Sequence, residues 1–299
     1  MELLQLKYFQ AAARIEHMTK AAQSLHISQP ALSKMITALE AELGAKLFDR
    51  NHKTIRLNEQ GRLFLQKIDL ALQAIEDGIR QLQDGNGTAV AAIALDVRVS
   101  SHLLPALLAE YCKQWPDTQF HLIQHVPQYE STPSFDLCLS DGANPPAGTE
   151  SYSLLREKIV VAVPAAHRLA SSDLISLREL QDENFICLPP GKALREMTDA
   201  FCRLAGFAPR IRFESDDPAT VRGLIRVGQG VAFLPSITWG GSTGPDVVTI
   251  PLEESFCERA ISLYWPKDRY LTQAAAQFRD FAISYFAALA DSYAYSSDK

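Results

Sequence analysis

No stretch of the 299 residues is apolar for long enough to cross a bilayer as a helix, so no membrane partner is expected. The opening residues, MELLQLKYF, have no basic start and no continuous apolar run, which reads against an export signal and for a cytoplasmic protein. Cysteine is scarce: the five, at 112, 138, 187, 202 and 257, are odd in number and never spaced CxxC. That excludes a disulfide framework and favours reduced thiols. Cys187 and Cys202 are read as packed thiols rather than a redox switch, because no charge pattern around them marks a low-pKa thiolate. The seven histidines are scattered without metal spacing, so no metal site is expected. A Walker loop, GxSxG, HExxH and a dinucleotide fingerprint are all missing. Asp136, Asp141 and Glu150 are isolated acids at strand ends, which are usually solvated or paired. No catalytic residue, enzyme activity or cofactor is expected.

An excess of positive charge is also lacking, since the net charge is -6. The distribution is uneven. Residues 1–60 hold eight Lys/Arg against six Asp/Glu, so the remainder carries about -8. Arg50, Lys53 and Arg56 cluster in DRNHKTIRL. Local positive charge on an acidic chain suits phosphate binding without nonspecific contact elsewhere.

The stretch Thr19–Leu43 organises the chain. It reads as two short helices with a turn at Leu25–Ile27. Ser28 supplies an N-cap hydroxyl and Pro30 sits in the first turn, where a missing N–H costs nothing. Leu32, Met35, Ile36, Leu39 and Leu43 recur at spacings of three and four and form a buried stripe. Gln29, Ser33 and Thr37, flanked by Lys34, form a polar face without carboxylates. Such amides and hydroxyls can bond base edges and phosphates from a helix in the major groove. The reading is a helix-turn-helix with Ser28–Leu39 as recognition helix. A helical hairpin with a solvated face is the alternative.

Leu3, Leu6, Phe9 and Ala13 give a first amphipathic helix. Gly44 is a C-cap. LFDRNHKTIRLNEQG reads as a two-stranded wing, with Leu47, Phe48, Ile55 and Leu57 inward and the basic residues outward. Asn58 is an N-cap with Glu59 in the first turn of a long helix. Leu65, Ile68, Leu72, Ile75, Ile79 and Leu82 make a coiled-coil seam, which favours a two-fold dimer over packing on the chain's own core. Asp84–Thr88 is a hinge.

From residue 89 strands and helices alternate, as in an α/β fold of two lobes. Strands are expected at 89–97, 120–125, 135–139, 159–163, 185–188, 210–213, 231–234 and 261–265, and helices at 103–113, 193–205, 219–227 and 272–290. The expected domains are 1–58, 59–88 and 89–299. Lobe I is about 89–163 plus 266–299 and lobe II about 164–265, with crossings after Pro164 and Pro266.

LLQLKYFQAAA, MTKAAQSLHISQPALSKMITALEAELGAKLFDR and IRLNEQG resemble, almost position for position, the winged helix-turn-helix of LysR-type transcriptional regulators. SHLLPALLAEY, FDLCLSDG, PAAHRLA, SLREL, FICLPPGKALRE and IRVGQGVAFLP match weaker patterns of that family's effector domain. The resemblance implies a cytoplasmic regulator that binds promoter DNA. It implies a homodimer through the linker helix, a homotetramer through effector domains resembling periplasmic-binding proteins, and RNA polymerase as a further partner. Gln29, Ser33 and Lys34 match DNA-facing positions, Pro30 matches the family's proline, and Arg50 and Arg56 match basic wing positions; Thr19, Ser28, Thr37 and Lys53 complete the expected DNA-binding set. Asp96, Arg98, Ser100, Ser101, Gly191 and Lys192 fall where a small-molecule effector is held between the lobes.

Arg98 and Lys192, the latter ahead of a helix N-terminus, suggest an anionic effector such as a carboxylate. Asp96 could instead pair with Arg98 and cancel it. One departure stands out: Val126–Ser134 is short and carries Pro127 and Pro133 where the family has a helix. An architectural DNA-binding protein, whose second part only oligomerises, is the competing reading.

Overall fold

The computed structural model describes residues 1–51, 54–86, 91–99, 102–124, 135–142, 145–239 and 244–297. His52 and Lys53 of the expected wing, the cleft serines Ser100 and Ser101, and the whole Val126–Ser134 segment lie outside them. The chain divides into two compact units, one built on Met1–Ala89 and one on Val90–Val126 with Phe135–Lys299.

In the first unit, α1 (Leu3–Ile15), α2 (Met18–Ser24) and α3 (Gln29–Leu43) precede a hairpin of β1 (Phe48–Asn51) and β2 (Thr54–Leu57), then the long α4 (Glu59–Gly85). Phe9, Ala12, Ala21, Leu32, Ile36 and Leu39 are fully buried in one cluster, and Ala22 nearly so. The small residues Ala21 and Ala22 leave room for α2 to approach its neighbours closely. The stripe on α3 is narrower than the sequence suggests: Met35 is half-buried and Leu43 exposed. Leu3 of α1 is exposed as well. Leu47, Phe48, Ile55 and Leu57 face inward. Gly44 ends α3 at φ +66°, a left-handed conformation that favours glycine. Asn58 caps α4 by accepting from the Gly61 N–H at 2.8 Å.

The seam on α4 splits in two. Ile68 and Leu72 are buried in the unit's own core and Leu65 packs against it. Ile75, Ile79 and Leu82 are 44%, 50% and 70% exposed. Packing on the unit's own core therefore holds for Ile68 and Leu72 and stops before Ile75. Asp69, buried between Ile68 and Leu72, accepts from Gln10 Nε2 at 2.6 Å and Arg14 Nη2 at 3.3 Å, tying α4 to α1.

The second unit contains β3 (Ala92–Val97), α5 (Leu104–Gln114), β4 (Gln119–Ile123), β5 (Leu137–Ser140) and β6 (Thr149–Pro164). After these come β7 (Asn184–Cys187), α6 (Ala193–Leu204), β8 (Arg210–Glu214), α7 (Pro218–Arg226), β9 (Ala232–Pro235), β10 (Val247–Ile250), β11 (Glu258–Pro266) and α8 (Gln273–Ser297). The large sheet runs β10-β6-β11-β5-β3-β4, with β9 also on β6. β3 is parallel to β4 and β5, while β11 is antiparallel to β5 and β6. A separate parallel pair joins β7 and β8.

Two cores flank the long strands. One gathers Ile93, Leu95, Tyr111, Leu139, Leu155, Leu263 and Phe278; the other gathers Ile159, Val161, Val163, Phe185, Phe201 and Phe233. The crossing points expected at Pro164 and Pro266 are therefore corrected. β6 passes from the first core to the second between Leu155 and Ile159, and β11 makes the reverse passage near Ile261, where its register with β6 shifts. Pro164 and Pro266 end these shared strands instead. β6 is 16 residues long because its first ten residues, TESYSLLREK, pair with β11 although their pattern is too polar to read as a strand. β10 escaped the sequence reading as well.

Candidate nucleic-acid interface

The tight turn between α2 and α3 is built on His26, at φ +55°. Ile27 N–H closes it on the Ala22 carbonyl at 3.0 Å. Ser28 caps α3 with its Oγ 3.4 Å from the Ala31 N–H, and Pro30 occupies the first turn. With Leu32, Ile36 and Leu39 buried, the helical period turns the opposite side outward. Gln29, Pro30, Ser33, Lys34, Thr37, Ala38 and Ala41 line one shallow open depression there. It contains no carboxylate, so nothing on that surface repels phosphate. The structure thus brings together Gln29, Pro30, Ser33, Lys34 and Thr37, with Ser28 at the helix start. Thr19 is exposed on α2.

On the wing, Arg56 is exposed and lies opposite Asp49, while Arg50 lies opposite Ile55. Lys53 is outside the described residues. Two acids that sequence reasoning missed hold this hairpin. Glu40, buried on α3, accepts from the Leu47 and Phe48 N–H groups at 2.9 and 3.4 Å and from Lys46 Nζ at 2.9 Å. Burial opposes its charge. The backbone N–H of Leu47 and the Lys46 ammonium outweigh that and hold its pKa below the usual carboxylate value. Glu16, just after α1, accepts from the Leu57 N–H at 2.7 Å. A signal for Glu40 was present: it stands four residues after Ile36, on the edge of the buried stripe.

In the second unit, Asp96 is buried at the carboxyl end of β3. It accepts from Arg98 Nε at 2.9 Å and lies 3.6 Å from the Cys138 Sγ. The Arg98 side chain is 37% exposed, so it is paired but still reachable. Gly191, at φ +84°, and Lys192, the N-cap residue of α6, are exposed in the other lobe. Among the described residues Arg98 is joined to Asp96. Arg195, one turn into α6, is bound to Asp199, Glu214 and the Leu188 carbonyl.

Where the strands cross, Glu157 accepts from the Ile237 and Thr238 N–H groups at 2.9 and 2.8 Å. It also takes the Thr238 hydroxyl at 2.6 Å and Arg259 Nε at 2.8 Å. Burial pushes the Cys187 thiol up to about 11 and the Cys202 thiol to about 12, so both stay protonated and are poor nucleophiles. Among the described residues no cluster of His, Cys, Asp and Glu could hold a metal ion, and no helix is long and apolar enough to cross a membrane.

Residues 3–62 match the family described as bacterial regulatory helix-turn-helix protein, lysR family, and residues 90–287 match the LysR substrate binding domain. The chain belongs to the LysR family: it is a DNA-binding transcriptional regulator with a small-molecule-responsive second domain. It is 34% identical over 292 residues to the uncharacterised helix-turn-helix regulator YybE of Bacillus subtilis, covering 96% of this chain and 99% of that protein. It is 33% identical over 298 residues to the transcriptional dual regulator GltC of the same organism, covering 97% and 99%. The structure of full-length CbnR complexed with its target DNA matches with a TM-score of 0.64 at 23% identity, over 94% of this chain and 99% of that one.

Proposed function

We propose that the chain acts in the cytoplasm as a two-fold dimer on promoter DNA, with no enzymatic activity of its own. Each α3 enters the major groove of one half-site. Gln29 and Ser33 read bases there, and Ser28, Lys34, Thr37 and Thr19 contact the backbone around them. Arg50, Lys53 and Arg56 of the wing meet neighbouring phosphates. The observation that carries this reading is the carboxylate-free polar face of α3, turned outward by burial of Leu32, Ile36 and Leu39. The exposed Ile75, Ile79 and Leu82 supply the dimer seam, and pairing of second units makes a tetramer.

The effector is a small anion, such as a carboxylate, taken between Arg98 of one lobe and Lys192 with Gly191 of the other; Ser100 and Ser101, outside the described residues, are assigned to the same site by the family resemblance. Asp96 holds Arg98 in place. Its charge also opposes the anion, so Lys192 is needed to tip the balance. Binding shifts the population of two arrangements of the dimer on DNA, and RNA polymerase reads the difference.

The test is a footprint of the purified chain on the DNA upstream of its own coding region at two salt concentrations. Protection of a dyad that weakens steeply with salt is expected. Protection without sequence preference would replace this reading with an architectural role. For the effector, thermal stability is followed across a set of metabolite carboxylates, since a ligand specific to the native state raises it. A response left intact by Arg98→Ala and Lys192→Ala would reject the anion site.

A further inference from the structure

The base of the wing is gripped by three helices at once. Glu40 of α3 takes the Leu47 and Phe48 N–H groups where β1 begins. Glu16, at the end of α1, takes the Leu57 N–H where β2 ends. Asn58, the cap of α4, donates from Nδ2 to the Lys46 carbonyl at 2.8 Å and from its N–H to the Leu47 carbonyl at 3.0 Å. The first turn of α4 is pressed against both strands: a Cβ on Gly61 would fall 2.2 Å from the Leu47 carbonyl oxygen and 2.8 Å from a Leu57 methyl. A four-residue hairpin pair has little intrinsic stability, so its direction is set by whatever holds its ends.

We propose that Glu40 is a positioning residue for DNA binding. It couples the wing to the recognition helix, so that Arg56 and the polar face of α3 meet the duplex in one fixed arrangement. Glu16 fixes the second strand in the same way. This assignment rests on the DNA-reading role of α3 and the wing proposed above. It differs from a purely structural role in what it moves. A mere core contact changes stability alone, whereas a positioning contact changes the number of phosphates neutralised. Lys46 is part of the device: its ammonium sits on Glu40, so the charge at the base of the wing is spent on geometry. The lowered pKa of Glu40 agrees with a carboxylate held charged in this role.

The experiment uses the full chain, the dyad duplex that the wild type protects, and the variants Glu40→Gln, Arg56→Ala and their combination. Glu40→Gln is expected to weaken binding roughly tenfold. It should also make the salt dependence shallower by ~0.9 in log–log slope for each phosphate contact released. The double variant should bind about as Glu40→Gln alone, because the Arg56 contact is already lost. Fully multiplicative effects, or an unchanged slope, would overturn the assignment. If Glu40→Gln melts too low to assay, Glu16→Gln enters the same cycle in its place.

Amide exchange on the free protein supplies the independent reading. Faster exchange at Leu47 and Phe48 in Glu40→Gln is expected, and wild-type protection there would reject the coupling. Should the wild type give no footprint, the DNA reading falls and the exchange result still decides whether Glu40 holds the wing.

Discussion

The two units of this chain use charge in opposite ways. In the first, cations such as Lys34 and Arg56 stand exposed beside a polar helix face, while the buried acid Glu40 and the exposed Glu16 are bound to backbone N–H groups. In the second, several cations are tied to acids of the same unit: Arg98 to Asp96, Arg259 to Glu157, Arg195 to Asp199 and Glu214. The difference follows from what each surface must meet. A polyanion needs cations left available and hydrated until binding releases its counterions. A lobed fold that must keep two cores in register at three chain crossings needs its charges fixed. The third crossing is the segment after β9, where Ile237 packs in the first core although β9 lies beside the second. Glu157 binds the backbone of that segment and Arg259 together, so one carboxylate ties all three crossings.

The largest expected effect tests the buried side of this comparison. Glu157→Ala leaves Arg259 Nε, the Thr238 hydroxyl and two backbone N–H groups without this acceptor in a buried site. A loss of about 3–5 kcal/mol is expected for the second unit, read from urea unfolding of the full chain. A loss under about 1 kcal/mol would mean the crossings are held by packing alone. Next in size is Gln29→Ala, which should leave unfolding unchanged and remove about 1–3 kcal/mol of discrimination at one base position in a competition assay. Uniform weakening at every sequence would move Gln29 from base reading to phosphate contact. Smaller again is Arg56→Ala: stability should stay within about 0.5 kcal/mol of wild type, and the log–log salt slope should fall by ~0.9. A large stability loss there would erase the contrast between exposed and acid-bound cations.

How much of this was legible in the sequence depended on the range of the interaction. The motif from Thr19 to Leu43, the caps Ser28, Gly44 and Asn58, and the inward residues of the wing rest on neighbours within a turn or a hairpin, and all were readable. The residues that fasten the wing were not. The spacing from Ile36 could place Glu40 at the edge of the buried stripe but not its N–H partners seven and eight residues on, and Glu16 reaches one 41 residues away. The lobe crossings failed for a related reason. Proline marks where a strand ends, whereas β6 and β11 change cores in mid-strand, at residues whose alternation continues through the passage. The α4 seam shows a further limit: one repeat serves the unit's own core at Ile68 and Leu72 and then runs on exposed from Ile75, and spacing alone cannot say where that change falls. For the cleft, the sequence supplied Asp96 and Arg98 as candidates and left their pairing open; the 2.9 Å bond decided it.

The smallest expected effect belongs to Glu40 of the first unit. Glu40 has a folded pKa below its ordinary value of 4.5, because the Leu47 N–H and Lys46 more than offset its burial. Its folded form therefore binds a proton less readily than its unfolded form. The stabilisation is fully present above the unfolded value and is lost as pH falls through the lower, folded one. Unfolding of the first unit, followed by its helical signal in urea, should thus weaken as the solution is acidified below about pH 4.5. Glu40→Gln should be less stable at neutral pH and lose that part of the acid sensitivity, so the two curves converge on acidification. Parallel curves would mean that Glu40 carries no charge-dependent load, and the wing would then be held by Glu16, Asn58 and the packing of Leu47, Phe48 and Gly61.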